Sequence, residues 1–484
     1  MTRHARPVEL PLNLAPSGAP LPHRVADALI DLLRTGHLRP GDALPATRAL
    51  AAELSVSRNA VVAAYDELAA AGFVHAVGGS ATIVSGGADL AARAGVASHV
   101  PAPVRPGPAP DRQTASRPRW CLLPGYSDGS LIAPAAWRAA WHAAARYPVS
   151  SGLPHVKEPH AGLREALAVH LRRTRGVVCD GADIILTPGV SAALRALTVA
   201  AGLAGRHVAF EQPGYVEGRR ALQAAGAVIR PVPVDDEGLD PVALDHADAA
   251  VYTTPAHQYP LGARLSAARR AALIRWARRA GALVIEDDYD GEFRYDVRGL
   301  PALHSMTGGP ETVAYIGTAS KILSPGLRVA WLIAPAGLRP AIRDALQATG
   351  EEIGVTTGQA LAHFIGSGQL ARHLARAGRT YAARRHALIA ALREAAPALR
   401  ISGVDAGLHL VADLPGLPGG IDIDEADLRR RLERAGLAVD MLGEYSTVPL
   451  ARKALVCGYA LLPETQARAA AAVIGAQVVA DCPA

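Results

Sequence analysis

The chain has 484 residues, of which 50% are hydrophobic and 19% charged, and its formal net charge is +6. At about 150 residues per domain, this length predicts about three domains. No run approaches the roughly 18 apolar residues of a membrane span, and the N-terminus lacks an apolar signal core, so we expect a cytoplasmic protein with no membrane contact. The four cysteines are far apart, which excludes a zinc ribbon or a disulfide scaffold.

Residues 1–87 carry the pattern of three helices followed by a β-hairpin. Thr47 is predicted to cap the second helix and Ser57 the third. Two short β-like runs, FVHAV and ATIV, flank a turn at Gly78, Gly79 and Ser80. Three helices with a terminal hairpin predict a winged helix-turn-helix.

The first turn of the third helix has the polarity that a recognition helix needs to meet base edges and phosphates. Arg58 could pair with guanine and Asn59 with adenine, while Arg48 or Thr47 could contact phosphate. The same side chains could equally form a solvated helix face. As residues that contact double-stranded DNA we therefore predict Thr47, Arg48, Ser57, Arg58 and Asn59.

The charge of this module bears on how it would bind DNA. Residues 1–84 contain 7 arginines and 7 acidic residues, so 7 − 7 leaves no net charge. A single neutral module should bind DNA weakly, because most non-specific affinity comes from phosphate neutralisation. We therefore expect a homodimer whose two modules bind two half-sites of one operator.

Residues 88–118 are rich in proline and alanine and predict a linker. Residues 119–484 then alternate apolar strand-like runs with helical patterns, which favours a mostly parallel sheet covered by helices. From about residue 338 the pattern changes to helices with a few strands. The prediction is an α/β body with a large part at 119–337 and a small C-terminal α+β subdomain at 338–484.

Three motifs in the large part point to a site. In ADIILTPGVSAALRAL a strand leads through a turn into a helix whose free amides could hold a phosphate, although many α/β turns look similar. In ALVIEDDYDGEFRY a strand ends in acidic residues, where a carboxylate could pair with a protonated ring nitrogen, or where the acids could form a metal site or an ion pair.

The third motif is VAYIGTASKILSPGLRVAWLIA, which contains Lys321. The chain has only three lysines among its 50 basic residues, Lys157, Lys321 and Lys453. An amine can form an imine with an aldehyde cofactor, which a guanidinium cannot do. A surface lysine is the alternative for this motif on its own.

These motifs support a resemblance to known families. The segment LRPGDALPATRALAAELSVSRNAVVAAYDELAAAGFV resembles the winged helix domain of GntR-family regulators. The three motifs, in this order and with EQPGY, TPAHQYPLG and AGLHLVADL, resemble fold-type I aminotransferases, which use pyridoxal 5′-phosphate. The whole chain therefore resembles the MocR subfamily of GntR-family transcription regulators.

The resemblance implies pyridoxal 5′-phosphate as cofactor and a role for each matching residue. Lys321 would form the internal aldimine, Asp287 would pair with the pyridine nitrogen, Tyr289 would bond the phenolic oxygen and Tyr215 would stack on the ring. His257 or Gln258 would flank the ring, and the sequence does not choose between them. The residues that would hold the phosphate are Gly189, Val190, Ser191, Thr318 and Arg328.

The function implied is a regulator that senses pyridoxal phosphate, or an amino compound that exchanges onto it. Arg452 is a candidate for gripping an effector carboxylate, with a plain surface role as the alternative. A working aminotransferase with an accessory DNA-binding head is the second possibility, because its active-site residues are all present.

Overall fold

A computed structural model of the protein describes residues 10–12, 14, 18–77, 81–93, 118–146, 160–295, 301–416 and 423–479. The chain divides into two compact units, residues 1–114 and 115–484, called here the head and the body.

Among its described residues the head contains four helices and one hairpin, and the second and third helices begin within one residue of the starts that their predicted caps indicate. The helices are α1 (Leu21–Thr35), α2 (Thr47–Glu53), α3 (Arg58–Ala70) and α4 (Ala88–Arg93), and the antiparallel strands are β1 (Val74–Val77) and β2 (Ala81–Val84). Apolar side chains from α1, α2 and α3 share one core with Val74 and Val84 of the hairpin. The predicted winged helix-turn-helix is confirmed; the predicted turn at Gly78–Ser80 lies outside the described residues.

Two details of the head differ from expectation. Thr47 is the first residue of α2 rather than its cap, because Ala46 holds the cap position and makes no side-chain hydrogen bond. Residues 88–93, assigned above to the linker, form α4, whose Ala88 and Ala92 are buried in the head core. The packed head therefore extends six residues into the predicted linker, and residues 94–117 lie outside the described part of the chain.

The large part of the body is built on an eight-stranded sheet flanked by helices. Its strand order is β4-β11-β10-β9-β8-β5-β6-β7. The strands are β4 (Ile184–Thr187), β5 (His207–Gln212), β6 (Val228–Asp235), β7 (Gly238–Leu239), β8 (Asp248–Thr253), β9 (Leu283–Asp288), β10 (Val313–Thr318) and β11 (Ala330–Ile333). The helices are α5 (Pro134–Ala145), α6 (Ala161–Arg175), α7 (Val190–Ala200), α8 (Val216–Ala224), α9 (Ala267–Ala280), α10 (Gly309–Thr312) and α11 (Ala319–Ile322).

Most of this sheet is parallel, as predicted. Strands β6, β5, β8, β9 and β10 run in one direction, while β11 is antiparallel to both of its neighbours, β10 and β4. Strand β4 therefore points the same way as β10. Strands β8, β9, β10 and β11 are buried along their whole length, because separate apolar clusters cover the two faces of the sheet.

The C-terminal part of the body carries a second sheet, in the order β12-β13-β16-β15, with one further two-stranded pair, β14-β3. These strands are β3 (Trp120–Cys121), β12 (Arg400–Ser402), β13 (His409–Asp413), β14 (Leu437–Ala438), β15 (Asp440–Met441) and β16 (Ala454–Gly458). The helices are α12 (Arg339–Thr349), α13 (Val355–Gly366), α14 (Gln369–Ala395), α15 (Glu425–Arg434) and α16 (Ala467–Val479). Among the helices described, none is long and apolar enough to cross a bilayer.

Candidate functional site

The candidate site lies where five strands of the large sheet end. Strands β4, β5, β8, β9 and β10 point in one direction, so their carboxyl ends meet at one edge of the sheet, where α/β proteins place ligands. The segments that follow these ends line a cavity of about 150 Å³. Its lining residues are Gly189, Val190, Ser191, Tyr215, Thr254, Tyr259, Asp287, Tyr289, Thr318, Ser320, Lys321, Pro325 and Arg328.

All nine residues predicted for the cofactor site line this one cavity. Eight of these positions follow from the sheet, because each is at a strand end or in the first turn after it. Arg328 instead lies just before β11, which is antiparallel to β10 and therefore begins at the same edge. Four further lining residues, Thr254, Tyr259, Ser320 and Pro325, were not predicted.

Lys321 lies on the short helix α11, directly after β10. Thr318 caps this helix by accepting a hydrogen bond from the Ser320 amide at 3.1 Å. The Lys321 ammonium donates to the carbonyl oxygen of Gly125 at 2.5 Å. Burial lowers the pKa of Lys321, and the nearby Asp287 carboxylate partly offsets that effect. The lowered pKa increases the share of neutral, nucleophilic amine at a given pH.

Asp287 lies in β9 and is almost completely buried. Its Oδ2 accepts a hydrogen bond from the Tyr252 hydroxyl at 2.5 Å, whereas its buried Oδ1 has no partner among the described residues. The pKa of Asp287 is raised from 3.8 to about 7, chiefly by burial; the Tyr252 hydrogen bond opposes this shift and the neighbouring Asp288 adds to it. The unpartnered oxygen is the signature of a carboxylate that lacks its donor.

The neighbouring acid, Asp288, has a different role. Its carboxylate accepts from Arg175 Nε at 2.5 Å and from the Tyr315 hydroxyl at 2.7 Å, inside the body. Because successive side chains of a strand point to opposite faces, only one of these two acids can face the cavity. Asp288 forms the structural ion pair, and Asp287 lines the cavity.

The turn before α7 forms a cradle with Arg328. Gly189 has φ 102° and precedes the first helical residue, Val190. A Cβ at Gly189 would lie only 3.1 Å from the Arg328 guanidinium, so the close approach requires glycine. The first amides of α7 have no acceptor within the helix, and together with Arg328 they offer the donors that a phosphate accepts.

The structure also places the residues that the sequence left open. Neither His257 nor Gln258 lines the cavity. Gln258 donates to the carbonyl oxygens of Pro213 and Tyr259, and His257 lies behind Tyr289. The residue of this loop that lines the cavity is Tyr259, two positions after His257. The segment TPAHQYPLG after β8 indicated that this loop belongs to the site, but it did not indicate the direction of each side chain.

Arg452 does not line the cavity either. Its guanidinium donates to Asp413 and to Ser402, both at 2.7 Å, so it is engaged within the small sheet. This geometry supports the plain structural alternative for Arg452.

The DNA-binding residues predicted for the head lie on adjacent helix starts. Ser57 caps α3, accepting from the Ala60 amide at 3.2 Å, while Arg58 and Asn59 occupy its first turn. Arg48 lies in the first turn of α2, and like Ser57, Arg58 and Asn59 it is exposed. A solvent-exposed polar first turn is the arrangement that a recognition helix presents to DNA.

Comparison with known proteins agrees with both halves of the chain. Residues 21–84 match the bacterial regulatory proteins of the gntR family, and residues 132–455 match aminotransferase class I and II. Among solved structures, an archaeal alanine:glyoxylate aminotransferase superposes with a TM-score of 0.66 at 23% identity, over 75% of this chain and 91% of that one. At that identity, the likeness shows the fold alone.

Two relatives share both halves. The HTH-type pyridoxine biosynthesis transcriptional regulator PdxR of Corynebacterium glutamicum is 35% identical over 83% of this chain and 85% of its own. The probable rhizopine catabolism regulatory protein MocR of Rhizobium meliloti is 32% identical over 81% of each chain. The chain therefore belongs to the MocR-type transcription regulators of the GntR family, which join a helix-turn-helix head to an aminotransferase class I and II domain.

Proposed function

We propose that the body binds pyridoxal 5′-phosphate and that occupancy of its cavity controls DNA binding by the head. The observation that carries this proposal is the buried, unpartnered Oδ1 of Asp287 in a cavity that also holds the Lys321 amine. A buried carboxylate oxygen that has no donor is costly, and a protonated pyridine nitrogen would supply a donor to Oδ1.

The residues present fit this cofactor at three points. Lys321 supplies a primary amine whose pKa is lowered by burial. Asp287 Oδ1 would accept the ring N–H, since Oδ2 already accepts from Tyr252. The α7 amides and Arg328 would bind the phosphate. When bound, the cofactor supplies an aldehyde that condenses with amines and a ring that withdraws electrons.

We further propose that a homodimer presents two heads to one operator. Arg58 and Asn59 would read bases, and Thr47, Arg48 and Ser57 would contact the DNA backbone. The exposed first turns of α2 and α3 support these roles. The effector would be pyridoxal phosphate itself or a small amino compound, and the PdxR relative, named for regulation of pyridoxine biosynthesis, favours the former.

An operator-binding titration tests the proposal. Duplexes selected from a random library with the full chain would be titrated with cofactor-free protein, with added pyridoxal phosphate, and with pyridoxal phosphate plus amino compounds. A coupling of about 1–3 kcal/mol would change operator affinity roughly 5- to 150-fold. Lys321→Ala should abolish the change, whereas Lys453→Ala, the matched lysine outside the cavity, should keep it. The proposal would be contradicted if neither pyridoxal phosphate nor any amino compound changed the operator affinity of the wild-type protein.

A working aminotransferase is the second candidate, favoured by the presence of the amine, the acid and the phosphate cradle in one cavity. Incubation of the loaded protein with amino donors and keto acids distinguishes the two. Multiple turnovers that depend on Lys321 would establish an enzyme. A protein that binds the cofactor and shifts its operator affinity without turnover is a regulator only.

A further inference from the structure

A buried cluster lies directly behind Tyr289, outside the cavity. It consists of His257 from the loop after β8, Asp290 from the loop after β9, and His409, the first residue of β13. All three side chains are at most 2% exposed. None of them lines the cavity, and the roles proposed above for the cofactor site do not use them.

The hydrogen-bond geometry around His257 constrains where its proton lies. His257 Nδ1 is 2.8 Å from Asp290 Oδ2 and 3.0 Å from the Tyr289 hydroxyl oxygen. One ring nitrogen has a single in-plane bonding direction, so it cannot form a full hydrogen bond with both oxygens. Whichever partner dominates determines whether Tyr289 donates its proton to the histidine or keeps it for the cavity.

The charges around Asp290 decide this competition. Although Asp290 is buried, its pKa is lowered, because the nearby His257 and Arg294 outweigh the cost of burial. An ionised carboxylate only accepts hydrogen bonds, so the proton of this pair belongs to His257 Nδ1. That nitrogen then cannot accept from Tyr289. Lys321 and Asp287 also interact electrostatically with Asp290: the Lys321 ammonium attracts its carboxylate and the Asp287 carboxylate repels it.

His409 restricts the cluster further. Its Nε2 lies 2.8 Å from the Pro260 carbonyl oxygen, which can only accept, so the proton of His409 is on Nε2. Its Nδ1 is buried with no partner among the described residues. Burial and the adjacent His257 lower the pKa of His409 to about 3, so this ring stays neutral.

We propose that the His257–Asp290 pair is a positioning device that keeps the Tyr289 hydroxyl proton available to the cavity. Asp290 fixes the His257 tautomer with the proton on Nδ1. In this tautomer Nδ1 cannot accept a hydrogen bond from the Tyr289 hydroxyl on its buried side. The hydroxyl of Tyr289 therefore donates into the cavity, toward an anionic oxygen of the bound ligand. This inference rests on the proposed function for the identity of that ligand.

The close packing of Gly407 supports a fixed geometry for the pair. Gly407 has φ +74°, and a Cβ there would overlap both the His257 ring and the Asp290 carboxylate. Its carbonyl oxygen accepts from the Tyr295 hydroxyl at 2.6 Å and from the Tyr459 hydroxyl at 2.7 Å. Backbone anchored in this way presses against the pair and leaves the histidine ring little room to flip.

The tautomer can be measured without any cofactor. In the full chain labelled with ¹⁵N-histidine, the His257 ring signals, assigned by their loss in His257→Asn, should show a proton on Nδ1. A proton on Nε2 with none on Nδ1 would overturn the proposal. Because no cofactor is present, this result is independent of whether the proposed function is right.

A pair of variants then tests whether His257 acts through Tyr289. The amide nitrogen of His257→Asn takes the place of Nδ1 and retains the donor to Asp290, whereas that of His257→Gln takes the place of Nε2 and loses it. We expect the dissociation constant for pyridoxal phosphate to be roughly three- to tenfold higher in the Gln variant than in wild type. In the Asn variant it should lie within about twofold of the wild-type value. In a Tyr289→Phe background the difference between Asn and Gln should vanish. A difference of the same size in that background would overturn the proposal.

Discussion

Among single residues, the cavity brings together two ionisable groups, Asp287 and Lys321, and burial disfavours the charged form of each. Burial raises the pKa of Asp287 to about 7 and lowers that of Lys321. A bound cofactor would use Asp287 as the carboxylate that burial disfavours, and its carbonyl group would react with the neutral Lys321 amine that burial favours. Such sites trade stability of the empty protein for affinity.

Asp287→Asn should therefore stabilise the empty protein while weakening cofactor binding. The pKa of Asp287 is raised above its ordinary 3.8, so the folded protein binds this proton more tightly than the unfolded chain does. The resulting contribution to the unfolding free energy is fully present below about pH 4 and is lost as the pH rises to about 7. The amide of the Asn variant does not ionise, so the variant does not lose unfolding free energy over this pH range. Its unfolding free energy should exceed that of wild type on the order of 1–4 kcal/mol at pH 8, with the difference shrinking toward pH 4. Denaturant unfolding at pH 5 and pH 8 measures it.

The same substitution removes a charge-assisted hydrogen bond to the ring nitrogen, which is worth about 1.5–3 kcal/mol. Pyridoxal phosphate should then dissociate at least about tenfold more readily, as measured by fluorescence titration. Asp413→Asn, which changes an acid outside the cavity, serves as the control. An Asp287→Asn variant with wild-type affinity would show that another group binds the ring nitrogen.

Residues adjacent to strand ends were predictable, because the pattern of a buried strand places them at the sheet edge. Asp287, Lys321 and Gly189 belong to this group. Tyr259 does not, because it lies six residues beyond the end of β8, in a loop whose path decides which side chain faces inward. The unpartnered Oδ1 of Asp287 is likewise a three-dimensional property and leaves no mark in the sequence.

At the scale of elements, long buried strands were recognised and short ones were not. The strands of the large sheet carry runs of apolar residues, whereas β14 and β15 have two residues each, too few to show a periodicity. The cap of α2 was misplaced for a related reason: Thr47 is a good capping residue by type, but the helix begins one residue earlier than a Thr47 cap requires. Ser57, by contrast, caps α3 as predicted.

The element that reads DNA should be α3, with Arg58 as a test case. If Arg58 pairs with a base, Arg58→Ala should cost about 1–3 kcal/mol of binding free energy and relax the preference at one operator position. Arg39→Ala removes the same charge from the loop after α1 and is the matched control. Anisotropy titrations over single-base operator variants measure both changes. A loss that is uniform across sequences would instead assign Arg58 to a phosphate.

At the scale of the whole molecule, head and body are separate compact units, each with its own core. The sequence predicted this division from the proline-rich stretch, but it placed the end of the head too early. The alanine-rich helix α4 contributes only small side chains, so its packing on the head has a weak sequence signal. An isolated head should therefore extend to Arg93.

The absence of net charge on residues 1–84 predicts that two heads are needed for tight binding. Two heads on one dimer make the second contact effectively intramolecular, which can add about 10²–10⁴ in avidity. A fragment of residues 1–93 should bind the operator weaker than the full chain by a factor in this range, and the operator should contain two half-sites. Gel-shift titrations of the fragment and the full chain on one duplex make the comparison. Equal affinities would contradict the two-head account.

The proposed regulation depends above all on whether Lys321 carries pyridoxal phosphate. Because the chain has only three lysines, peptide mapping after borohydride reduction of the loaded protein tests it most directly. We expect a visible absorbance band before reduction and a pyridoxyl mass on the peptide that contains Lys321, both retained in Lys453→Ala and absent in Lys321→Ala. A pyridoxyl mass on Lys157 or Lys453 alone, or an unchanged visible band in Lys321→Ala, would contradict the account.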